Sequence, residues 1–174
     1  MNLNFGAGAT RYEDYINLDV DPINNPEICV NIFDGIPLES KSVDKVKAMA
    51  VLEHFGINQL RDSVLPELWR IMKVGGEIEV LVPDLETLVK RYLEYKRTGE
   101  TPYRKERPGS NYIYDAEDLD FWIMSDPSLF GSHKVIFDYD FLALTMIGAG
   151  FRVKQLEHID HNLYGIFVKV EKNV

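Results

Sequence analysis

At 174 residues, 45% hydrophobic and 27% charged, the chain has the length and composition of one soluble globular domain with a substantial core. A net charge of −9 and a pI near 4.9 exclude a broad nucleic-acid footprint or an anionic-membrane face, both of which need a basic surface. No stretch reads as a signal peptide or a bilayer span, and the single cysteine, Cys29, excludes an intrachain disulfide, so a cytoplasmic location is expected.

Met1 to Phe5 predict a short strand, broken by Gly6 and Gly8. Glycines there can take positive φ and carry no Cβ, so a ligand can approach the backbone closely. A second apolar run, Tyr15 to Val20, brings an acid, Asp19, to its end. A glycine turn after one strand and a carboxylate at the tip of the next suit a nucleoside, with the acid accepting from ribose hydroxyls. The dinucleotide fingerprint would need a third glycine where Arg11 stands, and Gly8 to Tyr15 leaves little room for a pyrophosphate-binding helix. The loop therefore suits a nucleoside without a diphosphate better than NAD or FAD.

After the turn residues Asn24-Asn25-Pro26, Glu27 to Phe33 predicts a third strand whose apolar run suits burial on both faces, Cys29 included. Lys45 to Leu52 predicts a fourth strand, and Gly56 to Lys73 a helix with a break near Ser63–Leu65, where Pro66 interrupts the pattern. Gly75-Gly76 is expected to stop that helix, and Glu77 to Val82 to form a fifth strand. Asp84 is placed to cap a helix with an apolar stripe of Leu85, Leu88, Val89, Tyr92 and Leu93.

From Arg97 regularity is lost, and the stretch is too long for an ordinary connection. Its Tyr112, Tyr114, Phe121, Trp122 and Phe130 argue for packing rather than disorder. A helix follows from Asp138 to Ile147, and Phe151–Ile159 and Leu163–Lys172 read as an antiparallel pair at the sheet edge. Strands alternating with helices, closed by a hairpin, define an α/β fold with a mostly parallel sheet.

This pattern resembles the class I S-adenosylmethionine-dependent methyltransferases, in particular the small bacterial and phage members of the type-11 kind. The matching pieces are Leu3-Asn4-Phe5-Gly6-Ala7-Gly8, Ile16-Asn17-Leu18-Asp19, Ile36-Pro37-Leu38, Ser42-Val43-Asp44, Ala50-Val51-Leu52-Glu53-His54-Phe55, Glu67 to Gly76, and His133 with Gly148-Ala149-Gly150-Phe151. The resemblance implies a three-layer Rossmann-like sandwich of about seven strands with an antiparallel C-terminal hairpin. It implies one domain over residues 1–174, with an insertion or lid at about 97–132. It also implies S-adenosylmethionine as cofactor and methyl transfer to a small-molecule oxygen or nitrogen nucleophile; the acidic charge balance argues against nucleic-acid or membrane partners, and oligomeric state stays open. The sequence departs from the family at Asn4, where relatives carry an acid, at Thr10, where a third glycine is usual, and at Asn31, where many place an aspartate.

Carried onto this chain, the cofactor residues are Phe5, Gly6, Ala7, Gly8, Asp19, Val20, Asn31, Ile32, Asp34 and Val51. His54 is the candidate base, against a plain packing role, with Glu53 read as a cap of the following helix. His133, Tyr112 and Trp122 are candidate substrate contacts. The basic run Arg97, Arg104, Lys105 and Arg107 reads either as a solvated loop or as a recruiter of anionic substrate. No metal site is expected: His158-x-x-His161 with Asp160 falls across a strand and its turn, where ligands do not converge. Two other readings compete, a non-catalytic binding module on the same fold and a nicotinamide-dependent oxidoreductase; the second is disfavoured by Arg11 and the short loop.

Overall fold

The computed structural model describes residues 1–99, 133–160 and 162–171. The strands are β1 (Asn2–Phe5), β2 (Tyr15–Asp19), β3 (Ile28–Cys29), β4 (Val43–Met49), β5 (Met72–Pro83), β6 (Phe151–Ile159) and β7 (Asn162–Lys169). The helices are α1 (Ile57–Gln59), α2 (Leu65–Ile71), α3 (Leu85–Thr98) and α4 (Tyr139–Gly148). The strands form one seven-stranded sheet in the order β3-β2-β1-β4-β5-β7-β6, parallel from β3 to β5 and antiparallel in the last two pairings. This is the mostly parallel, Rossmann-like sheet with a C-terminal hairpin that the sequence predicts.

The central strands β1, β4 and β5 have partners on both sides, and their inward residues Leu3, Val46, Ala48, Ile78 and Val80 are fully buried. Leu60, Val64, Leu65, Leu68 and Ile71 join them from the helical segment in one continuous core. A fully buried aliphatic side chain of this kind stabilises the fold by ~1.5–3 kcal/mol. Asp138 caps α4, its Oδ1 accepting from Phe141 N at 2.7 Å, as expected.

Three expectations need correction. The third strand is two residues long rather than seven, and Cys29 is exposed. It is the edge strand with only β2 as partner, and after it the chain turns into a 3-10 turn at Ile32–Asp34. The fourth strand spans Val43–Met49 rather than Lys45–Leu52, because Ala50 takes a left-handed φ of 52° and Leu52–His54 form a 3-10 turn. The helix ends at Ile71, and β5 begins at Met72. Gly75-Gly76 therefore lie inside the strand, where the pairing jumps from Val43–Met72 to Lys45–Glu77. A Cβ on Gly76 would sit 2.9 Å from the Asp44 carbonyl oxygen, so the irregularity needs a glycine there. Lys169, of which the sequence reading said nothing beyond its place in the last strand, is buried; its Nζ donates to the carbonyls of Trp69 (2.8 Å) and Met72 (2.7 Å), groups left open where α2 ends.

The irregularity expected ahead of Pro66 occurs as a π turn in a continuous helical segment and not as a break. Proline offers no N–H to the preceding turn, and the ladder widens into a π turn over Leu60–Val64, with Leu65 N donating to the Leu60 carbonyl. Glu67 and Arg70 on α2 then hold the Ile36–Ser40 connection: Ile36 N donates to Glu67 Oε1 at 2.7 Å, and Arg70 donates to the carbonyls of Ile36 and Leu38, both at 2.9 Å. Apart from Arg97, Thr98 and Gly99, the expected insertion lies outside the described residues, as do Tyr112, Trp122, Arg104, Lys105 and Arg107. Arg97 itself pairs with Glu94.

Candidate active site

The carboxyl ends of β1, β2, β3 and β4 lie side by side, so the loops leaving them share one edge of the sheet. Phe5 ends β1, and the chain turns through Gly6 (φ 65°) and Gly8 (φ 51°), conformations that favour glycine. No helix forms before β2. Gly8 N donates to Asp19 Oδ2 at 2.7 Å, and Asp21 N donates to Asp19 Oδ1 at 2.8 Å. Asp19 therefore fixes the loop as well as standing at the tip of β2, and each carboxylate oxygen keeps further acceptor capacity. Arg11, in the third-glycine position of the dinucleotide pattern, donates to the Gly8 and Thr10 carbonyls at 2.9 and 3.0 Å and reaches the Asn24 carbonyl. It staples the glycine loop to the turn after β2.

Beneath the loop, Asn4 and Asn17 face each other in register on β1 and β2. Asn4 Nδ2 donates to Asn17 Oδ1 at 2.9 Å and to the Thr10 carbonyl at 3.0 Å, and Asn17 Nδ2 donates to Glu27 Oε2 at 2.9 Å. An acid at position 4 could make neither of the first two bonds. The asparagine is thus matched to this chain's own loop.

Val51 closes the loop from the β4 side: a Cβ on Gly6 would lie 2.3 Å from Val51 Cγ2. A Cβ on Gly8, by contrast, would meet no described atom within 4 Å, so the backbone there faces open space. Phe55 stacks on Phe5 with centroids 6.1 Å apart and meets Phe33 edge-to-face at 6.0 Å. Sequence reading missed Phe55 as a site residue, although it directly follows the Glu53-His54 pair. Ile32 is buried, whereas Val20, Asn31 and Asp34 are exposed along the same edge. Asn31 Oδ1 accepts from Phe33 N at 3.1 Å and so caps its own turn.

The 3-10 turn after β4 carries Glu53 and His54 between Val51 and Phe55. Glu53 is not the cap of the next helix: Gly56 N donates to Gln59 Oε1 there, and the Glu53 side chain is 1% exposed. Burial pushes its carboxyl up to about 8, and Oε2 has no hydrogen-bond partner among the described residues. The segment entering α4 runs back across this turn, with Lys134 N and Val135 N donating to the Glu53 carbonyl at 2.7 and 3.2 Å. His133 is thereby brought onto His54, ring centroids 4.9 Å apart and nearly perpendicular. Burial, with the neighbouring His54, holds the His133 imidazole down at about 4. The donor atoms of Glu53, His54 and His133 all lie within 4.8 Å of one another. His158 is not part of that cluster. Its Nδ1 lies 2.8 Å from Asp84 Oδ2, Asp160 pairs with Arg91, and His161 is outside the described residues.

No family model matches the chain, and no curated protein sequence matches it. Solved structures do. A S-adenosylmethionine-dependent methyltransferase from Methanosarcina mazei superimposes with a TM-score of 0.61 at 14% identity, over 98% of this chain and 92% of that one. One from Mesorhizobium loti gives 0.59 at 12% identity over 97% and 90%, and one from Aquifex aeolicus 0.53 at 15% identity over 96% and 80%. The chain has the fold of the class I S-adenosylmethionine-dependent methyltransferases. The likeness reaches the wider fold and does not single out the type-11 kind.

Proposed function

We propose that this protein is a S-adenosylmethionine-dependent methyltransferase acting on a small-molecule oxygen or nitrogen nucleophile. The observation that carries this reading is the glycine loop: turned at Gly6 and Gly8, tied by Gly8 N to Asp19, and with no described atom within 4 Å of where a Gly8 Cβ would stand. The Gly6–Gly8 backbone and Asp19 would hold the amino-acid and ribose ends of the cofactor, with Val20 and the Asn31–Asp34 turn beside the base. The cofactor supplies a methyl group on a sulfonium, an electrophile that needs alignment more than activation. The chain's own task is to seat the acceptor in line and to manage its proton. Glu53 and His54, in the turn between Val51 and Phe55, and His133 packed on His54 are the groups available for that task.

Calorimetry with S-adenosylhomocysteine tests the reading. Wild type binds, and Gly8→Ala, which bears the left-handed strain of a Cβ at φ 51° but no clash with a described atom, binds more weakly because the added methyl enters the space that the ligand needs. Absence of binding at millimolar ligand overturns the proposal. A partner protein that copurifies in its place favours the non-catalytic module.

A further inference from the structure

We propose that Glu53, His54 and His133 form a binding site for a first-row divalent transition-metal ion, built into the turn after β4. Three observations converge. The donor atoms of the neighbours Glu53 and His54 and of His133, from a distant part of the chain, lie within 4.8 Å of one another. The Glu53 carboxylate is 1% exposed, and its Oε2 has no hydrogen-bond partner among the described residues. An orphaned buried carboxylate oxygen loses its hydration without return, and a cation supplies what is missing. The positions are also held from the backbone: Lys134 N and Val135 N donate to the Glu53 carbonyl, fixing the segment that carries His133 against the turn.

Two imidazoles and one carboxylate are the donor set of zinc, cobalt(II), iron(II) or manganese(II), rather than of calcium or magnesium. Donors around such an ion, each ~2.1 Å away, stand ~3.4 Å apart. The site therefore closes by about an ångström of side-chain rotation on binding. Three protein ligands leave at least one coordination position for water or another oxygen donor. If the methyltransferase reading holds, that position takes the acceptor: a hydroxyl on the metal ion is more acidic, and its proton passes to solvent before methyl transfer. The substrate class that follows is a small molecule with a metal-chelating hydroxyl. This last step alone rests on the proposed function.

The test uses the untagged full-length chain, stripped with chelator and titrated with cobalt(II) chloride while the visible d–d absorption is recorded. Wild type is expected to bind one ion per chain, with bands of a nitrogen–oxygen site. His133→Ala and Glu53→Gln should each weaken binding at least tenfold, and His158→Ala, whose imidazole faces Asp84, should leave it unchanged. His133 is only half-buried, so its alanine variant keeps the fold if Glu53→Gln does not. Absence of binding by wild type at millimolar cobalt, or a loss that follows His158 instead of His133, overturns the site. S-adenosylhomocysteine affinity measured in parallel separates the two proposals: either can fail while the other stands.

Discussion

Replacing Gly6 by alanine tests whether Val51 sets the position of the glycine loop. The added Cβ would lie 2.3 Å from Val51 Cγ2 and 2.8 Å from Val51 Cβ, whereas packed carbons rest ~3.5–4.0 Å apart. The φ of 65° adds the left-handed penalty of a residue with a Cβ, roughly 1–2 kcal/mol. Forcing the buried Val51 side chain aside adds overpacking of ~1–3 kcal/mol. The expected loss is therefore ~2–5 kcal/mol, a large part of a typical domain's ~5–15 kcal/mol. Val51→Ala removes the Cγ2 overlap but leaves the Cβ approach, so it relieves only part of the clash. The double variant should lose ~1 kcal/mol less than the sum of the single losses, the sign of direct contact. Urea denaturation of all four proteins, followed by circular dichroism, measures each corner of the cycle. A Gly6→Ala protein within ~0.5 kcal/mol of wild type, or strict additivity, refutes the packing argument.

Three further outcomes are expected. Without metal, burial raises the Glu53 carboxyl to about 8 against 4.5 in the unfolded chain. The folded state then holds the proton more tightly, so this group's contribution is complete below pH 4.5 and is lost as pH rises towards 8, by ~3 kcal/mol at neutral pH. Glu53→Gln should flatten that fall in the urea midpoint of chelator-treated protein; an unchanged slope contradicts it. Asn4→Asp places a carboxylate against the Thr10 carbonyl and Asn17 Oδ1 and should destabilise by ~2–4 kcal/mol. Tighter S-adenosylhomocysteine binding by that variant would show the asparagine to be a defect and not a fit. Lys169→Met keeps most of the volume but leaves the Trp69 and Met72 carbonyls without their donor and removes an ammonium 3.7 Å from the Trp69 ring centroid, for a loss of ~2–4 kcal/mol on thermal or urea unfolding. A variant as stable as wild type would mean that those carbonyls find other donors.

What the sequence determined by itself is local or periodic. Gly6 and Gly8 after a short apolar run can only turn, Asp138 ahead of an apolar helix face can only cap, and Pro66 must disturb its helix, so these features stand where the chain predicts them. The paired strands β6 and β7 are equally legible, because alternation and a short turn are neighbour effects. Tertiary structure decided what depends on distant partners. Cys29 belongs to an apolar run but is exposed, since among the described residues no strand pairs beyond β3. Nothing in the sequence marks Lys169 as buried, and it is buried because the open carbonyls at the end of α2 lie beside β7. Glu53-His54 and His133 were each visible as single residues, and no periodicity or spacing relates them. Only the return of the chain across the end of β4, fixed by two backbone hydrogen bonds to the Glu53 carbonyl, makes them one cluster.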